Sequence, residues 1–255
     1  LIEGLRQQFK AEHVLGGDPN TLQYSVWNLS ADSRSRLSQQ KDPTVELEAG
    51  YVGGQTDVIF RGDVERVFHT REGPDWLTKI ESGDGARALR MSKVSVSFKS
   101  GTKLIDMIKH VGKQMLVDLG NVEQLGTSDL GRKLSEYANG DALFGRAREV
   151  MDRLCKAGGL EWRVQDGVLE VSQEGQPFQS QAVLLSSDTG LIGSPEPGEK
   201  GALRVVSLIQ PGLKPGRKVQ VRSAAVDGFY RVSKVSYSGD THGSDWYAAL
   251  EVKPL

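Results

Sequence analysis

Gly73-Pro74-Asp75-Trp76-Leu77-Thr78-Lys79-Ile80-Glu81 and Gly243-Ser244-Asp245-Trp246-Tyr247-Ala248-Ala249-Leu250-Glu251 are two copies of one pattern, G-x-D-W-x-x-x-(apolar)-E. Each copy follows a β-like run and a polar turn, as the returning strand of a hairpin does. Trp76, Thr78 and Ile80 recur at period two, as do Trp246, Ala248 and Leu250, which puts each trio on one strand face. A match so far apart in sequence points to two related β-domains in one chain. The competing explanation is chance, since the pattern is short and aromatics often follow hairpin turns. Sequence alone leaves both open.

The residues before the first copy read as a meander. Residues 5–15 form a strand, Gly16-Gly17-Asp18-Pro19-Asn20 a turn, and residues 21–29 a returning strand with Leu22, Tyr24 and Val26 on one face. Ser30 suits the N-cap of a short helix reaching about Gln40, with Leu37 inward. Pro43 ends it. Thr44–Tyr51 is a strand with Val45, Leu47 and Ala49 in register. Asp57–Arg61 and Val64–Thr70 are strand-like, with a bulge or kink expected at Gly62-Asp63.

Between the two copies the pattern changes. Val94, Val96 and Phe98 mark a strand. Leu104, Ile105, Ile108, Val111 and Met115 have helical spacing. Residues 118–140 read as loop, with a helical turn at Asp129–Tyr137. A second helix is predicted over Asp141–Ala157, capped by Asp141, with Leu143, Ala147, Val150, Met151 and Leu154 on one face. Gly158-Gly159 stops it. Asp166-Gly167 between alternating runs marks a tight hairpin. Residues 173–201 look like a linker, with Pro177, Pro195 and Pro197, around the apolar run 182–185. Strands return at 203–209, 219–222, 229–237 and 246–252. The predicted division is a first β-domain (1–90), an α+β middle domain (91–175), and a linker with the second β-domain (176–255).

The chemistry-bearing residues form no catalytic set. A net charge of −1 argues against binding driven by phosphate neutralisation. Cys155 is the only cysteine, so no intrachain disulfide exists. It lies on a helix without a partner His, which suits packing better than nucleophilic work. Asp240, His242 and Asp245 could be drawn as a metal site, but nothing completes the ligand set and polar turn residues are the plainer reading. His13, His69 and His110 have no visible catalytic partner. Trp27, Trp76, Trp162 and Trp246 could be a ligand platform; core or interface packing is the better default. Neither a P-loop, a dinucleotide fingerprint nor a nucleophile elbow occurs. The carboxylates offer no distinguished pair. No catalytic, cofactor-binding or metal residue is therefore assigned, no cofactor is expected, and the chain is read as a non-enzyme. No apolar run is long enough for a membrane helix. The sequence does not open on Met, so nothing is read from the lack of a signal peptide.

In their order along the chain, several peptides resemble phage tail baseplate hub proteins of the contractile-tail hub and type VI spike-trunk family. They are Asn28-Leu29-Ser30, Val45–Tyr51, Ile59–Val64, Gly190–Pro195, Ser207–Pro211, Pro215–Val219, Gly228–Val232 and Gly239–Gly243. The resemblance implies a mainly β fold with an α+β insertion: two related tube-like antiparallel β-barrel domains plus a small α+β middle domain. It implies a homotrimer whose duplicated domains form a pseudo-sixfold ring, joining a hexameric tail tube to a trimeric central spike. Partners would be the tube protein, the spike and other baseplate proteins. DNA would pass through the lumen without specific binding. The expected location is the virion, after assembly in the host cytoplasm. Two other readings stay in view: a carbohydrate-active tail-tip module or hydrolase, and a distal tail adaptor of a non-contractile phage.

Overall fold

In a computed structural model of the chain, the described residues are 2–16, 18–54, 56–84, 91–125, 142–178 and 181–255. They divide into two compact units: one of residues 1–14, 20–84 and 179–255, the other of 15–19 and 85–178.

The first unit is built on an eleven-stranded sheet. Its N-terminal part contributes β1 (Gln7–Val14), β2 (Asn20–Trp27), β3 (Thr44–Ala49), β4 (Asp57–Glu72) and β5 (Asp75–Asp84). Helix α1 (Ala31–Gln39) lies between β2 and β3, and the Ser30 hydroxyl caps it by accepting from the Ser33 N–H at 3.1 Å. Its C-terminal part contributes β10 (Ala182–Leu185), β11 (Leu191–Pro197), β12 (Leu203–Ser207), β13 (Lys218–Arg222), β14 (Asp227–Asp240) and β15 (Trp246–Pro254). The architecture is mainly β with a large antiparallel sheet, as expected. β1 pairs with β14 and joins both β regions into one sheet.

The two Trp-containing strands occupy equivalent places in that sheet. The N-terminal strands run in the order β3-β4-β5-β2-β1, and the C-terminal ones in the order β13-β14-β15-β12-β11. Trp76 stands opposite Arg71 and Trp246 opposite Gly239. Five residues further along each returning strand, Glu81 pairs with Arg66 and Glu251 with Lys234. Immediately beyond, each outgoing strand carries one extra residue, Glu65 in β4 and Ser233 in β14. A bulge fixes register and twist, so its recurrence at the same offset from Trp makes the resemblance one of geometry as well as composition.

Alternation fills the core. Phe9, Ala11, Leu22, Tyr24, Val26 and Ile80 from one array share a buried cluster with Val205, Val219, Val235, Tyr237, Leu250 and Val252 from the other. Each buried Val, Leu, Ile or Phe among them contributes roughly 1.5–3 kcal/mol relative to exposure. The bulge or kink expected at Gly62-Asp63 is displaced: β4 runs through both residues, and its bulges fall on either side, at Ile59 opposite β3 and at Glu65 opposite β5. Gly62 instead permits close approach, because a Cβ there would lie 2.8 Å from the Gly83 carbonyl oxygen. The expected linker 173–201 carries β10 and β11 with short 3-10 turns at Ser187–Thr189 and Glu199–Gly201. Pro195 and Pro197 are tolerated because β11 ends the sheet path, where a missing N–H need not break a ladder on both sides.

The second unit is α+β. Strands β6 (Lys93–Ser97) and β7 (Ala142–Arg146) pair antiparallel, and β8 (Leu160–Gln165) and β9 (Val168–Gln173) form a hairpin. Asp166 and Gly167 both have positive φ, 55° and 78°, the geometry the Asp-Gly turn demands. Helices α2 (Leu104–Gln114) and α4 (Ala147–Ala157), with the short α3 (Val122–Leu125), bury Ile105, Ile108, Val111, Met151 and Leu154 against Trp162 and Leu169. The predicted second helix starts too early: Ala142–Arg146 is strand, so Leu143 is buried from β7. The helix begins after Arg146, which makes no side-chain cap. Asp141 and the helical turn predicted at Asp129–Tyr137 lie outside the described residues.

Candidate functional site

The face of the large sheet opposite the core is its most distinctive surface. Because Phe9, Ala11 and His13 point inward, Gln8, Lys10 and Glu12 point outward. Pairing extends this alternation across strands. One row runs Tyr247, Ser238, Lys10, Gln23, Glu81, Arg66. A second runs Ala249, Ser236, Glu12, Thr21. A third runs Asp240, Gln8, Ser25, Lys79, Phe68. The surface mixes hydroxyls, amides and charges of both signs.

Charges on this face neutralise each other locally. Lys10 lies 2.7 Å from Glu12, Lys234 lies 3.4 Å from the other Glu12 oxygen, and Arg66 lies 3.1 Å from Glu81. Hydrogen bonding to Lys10, with the charge of Lys234, holds the Glu12 carboxyl below its ordinary range. Such exposed pairs contribute little to stability. Their effect here is to leave no block of one sign. A shallow depression of about 280 Å³ on this face is lined by Gln8, Lys10, Gln23, Ser25, Ser238 and Asp245 among others. It contains no nucleophile paired with a base.

The residues singled out from sequence are held in other ways. Asp240 accepts from Arg6 at 2.9 Å and from the His242 N–H at 2.9 Å, and its own N–H donates to the Asp245 carbonyl. The Arg6 hydrogen bond holds its carboxyl low. Among the described residues, no group of three or more His, Cys, Asp or Glu could hold a metal ion. His13 is buried between the rings of Phe60 and Tyr237. His69 bridges Ser38 and Thr78, and His110 packs edge-on against Phe98. Burial, with the charge of Asp152 a smaller cause, pushes the Cys155 thiol up and away from nucleophilic form.

The four tryptophans form no common platform. Trp162 is buried and donates to Asp152 at 2.8 Å. Trp27 donates to Glu72 and carries Arg6 4.4 Å from its ring centre. Trp246 packs edge-on against Phe9 and donates to the Gly50 carbonyl at 3.1 Å. Trp76 is half-buried under Arg34 and Arg71.

A family model described as baseplate hub gp41 matches residues 21–252. The chain belongs to the baseplate hub gp41 family. Solved structures agree at the level of fold. The hub chain is similar to the 43 kDa tail protein of prophage MuSo2 from Shewanella oneidensis, at 10% identity and a TM-score of 0.64, covering 98% of this chain and 93% of that one. It is similar to a tail protein from Neisseria meningitidis MC58, at 11% identity and 0.61, covering 96% and 91%. It is also similar to the E. coli c3393 protein, described as a type VI secretion component resembling T4 tail proteins gp27 and gp5, at 11% identity and 0.60, covering 100% and 75%. Among curated proteins none matches. Family membership makes this a phage tail baseplate protein. No helix among the described residues of the hub chain is long and apolar enough to cross a membrane.

The sequence reading missed the polar face as a unit. Its signal was present in the polar alternate positions Gln8, Lys10 and Glu12 and Thr21, Gln23 and Ser25. What joins them to 234–240 is a pairing between chain ends that no local pattern encodes.

Proposed function

We propose that this chain is the structural hub of a phage baseplate, acting as a homotrimer and not as an enzyme. Residues 1–90 and 176–255 would serve as two copies of a tube-like domain, with residues 91–175 as an α+β domain inserted between them in sequence. Three chains then offer six similar surfaces to a hexameric tail tube, while the trimer keeps the threefold symmetry that a spike requires. The polar sheet face would line the channel. Its interleaved charges give DNA no cationic track to bind, so passing DNA is not retained. Assembly would take place in the host cytoplasm, before incorporation into the virion.

The observation that carries this reading is the pair of strand arrays with the same order, the same Trp position and the same bulge. A single-domain adaptor or hydrolase has no need of that internal equivalence. Electron microscopy of assembled tails, with the chain labelled at its C-terminus, tests the proposal. Three labels in a ring between tube and spike are expected. Six labels, or labels at the periphery, would overturn it.

A further inference from the structure

The fold already contains one example of the contact that joins two arrays. The last half of β14, residues 234–240, pairs along its outer edge with β1 of the other array. Trp246, the first residue of β15, crosses the same junction: its ring meets Phe9, and its indole N–H donates to the Gly50 carbonyl. Tyr51 reinforces the seam by accepting the Ile209 N–H at 2.7 Å.

Each side of this junction has a counterpart edge that no strand among the described residues pairs with. By strand order β4 corresponds to β14, yet β3 pairs only with residues 57–63 of β4. Among the described residues, no strand pairs with the outer edge of 66–72. By the same order β11 corresponds to β1, and among the described residues its only sheet partner is β12. Trp76 occupies the place of Trp246 but has no strand beyond it. Its ring is covered by Arg34 and Arg71 of its own array, and among the described residues its indole N–H makes no hydrogen bond. Both edges carry an exposed apolar side chain, Phe68 at 42% and Ile192 at 44%. An open edge with exposed apolar groups is a pairing site unless something covers it.

We propose that the 66–72 edge of β4 receives β11 of a second copy of this chain, antiparallel, with Trp76 reading the junction as Trp246 does within the chain. The proposal specifies the contact between copies that the trimeric hub reading requires, and it rests on that reading. The internal register gives the alignment. Asp240 faces Gln8 and Ser238 faces Lys10. Their counterparts are Glu72 facing Ile192 and Thr70 facing Glu196, on either side of the bulge that β11 carries between those two residues. Pro195 and Pro197 remove two donors from β11, so this ladder is shorter than the internal one. The prolines also discourage pairing with an arbitrary strand. The contact is heterologous, donor edge to acceptor edge, so successive copies close into a ring when the rotation permits.

Paired cysteines test the register in the full-length chain. E72C with I192C, and T70C with E196C, are expected to give covalent trimers on oxidation; Cys155 is 1% exposed and contributes no link. The mismatched pair R66C with I192C should remain uncrosslinked. W76F, which removes the indole N–H together with the five-membered ring, should weaken trimer formation by at least about fivefold by sedimentation, the effect of one hydrogen bond, while the monomer still unfolds in one transition. Trimers in which neither matched pair links would overturn the edge contact and leave the hub reading standing. A chain that forms no threefold assembly, alone or in the tail, would overturn both.

Discussion

A β-carbon on Gly239 would lie 2.5 Å from two ring carbons of Phe9 and 2.7 Å from the Trp246 ring. Only glycine lets that aromatic pair close over the internal junction. Gly239→Ala is expected to cost about 1–3 kcal/mol as overpacking, measured by urea unfolding. Arg71 takes the corresponding place beside Trp76 and is exposed, so Arg71→Ala should stay within about 0.5 kcal/mol of the parent. Acid sensitivity is also a residue-scale property. Asp240 and Glu12 both have depressed pKa values, held by Arg6 and Lys10 respectively. Their stabilisation is therefore complete above the ordinary carboxylate range, near pH 4, and is lost as pH falls through the lower folded values. The urea midpoint of the parent should drop as the pH is lowered from 5 toward 3, and the drop should be smaller in Asp240→Asn. Cys155 should resist a thiol reagent in the native chain and react once the chain is unfolded.

Single elements were legible where the signal is local. The Asp166-Gly167 hairpin, the Ser30 cap and the Leu22, Tyr24, Val26 face all follow from backbone freedom, one hydroxyl or period-two alternation. The misread elements share a cause: tertiary pairing decided what the local pattern left ambiguous. Leu143 sits at helical spacing from Ala147 and Val150, but residues 142–146 gain a ladder with 93–97, and the helix yields them. β11 was hidden by its prolines, which argue against a strand unless that strand is an edge. The register of α4 is set by its buried face. Met151→Ala, at a fully buried position, should cost about 2–5 kcal/mol by chemical denaturation. A solvent-side change such as Arg153→Ala should cost almost nothing.

At the scale of the whole molecule, the twin Trp strands drew attention to an equivalence that sequence could not separate from chance. Strand order and the shared bulge give it geometric content, because a one-residue difference in register would have turned one array inside out. The polar face belongs to this scale too, since it exists only once six neighbouring strands are in register. The candidate channel wall was therefore not readable as a set of site residues in advance. If that face lines a passage for DNA, purified assemblies should not retard duplex DNA in about 0.15 M salt. A complex that survives that salt would contradict a non-adhesive wall.

The junction between β1 and β14 also sets a timetable for the newborn chain. Arg6 and Asp240, which clasp at its end, are 234 positions apart. At about 5–20 residues per second, a ribosome releases the first strand roughly 10–50 s before its mate exists. Through that interval β1 has β2 on one side and nothing on the other, close to sister chains on the same messenger. Speed of translation across residues 179–240, rather than final stability, would then govern whether each chain closes on itself or captures its neighbour. Rare codons in that stretch would be expected to lower the yield of correctly closed chains without altering a single contact in the finished protein.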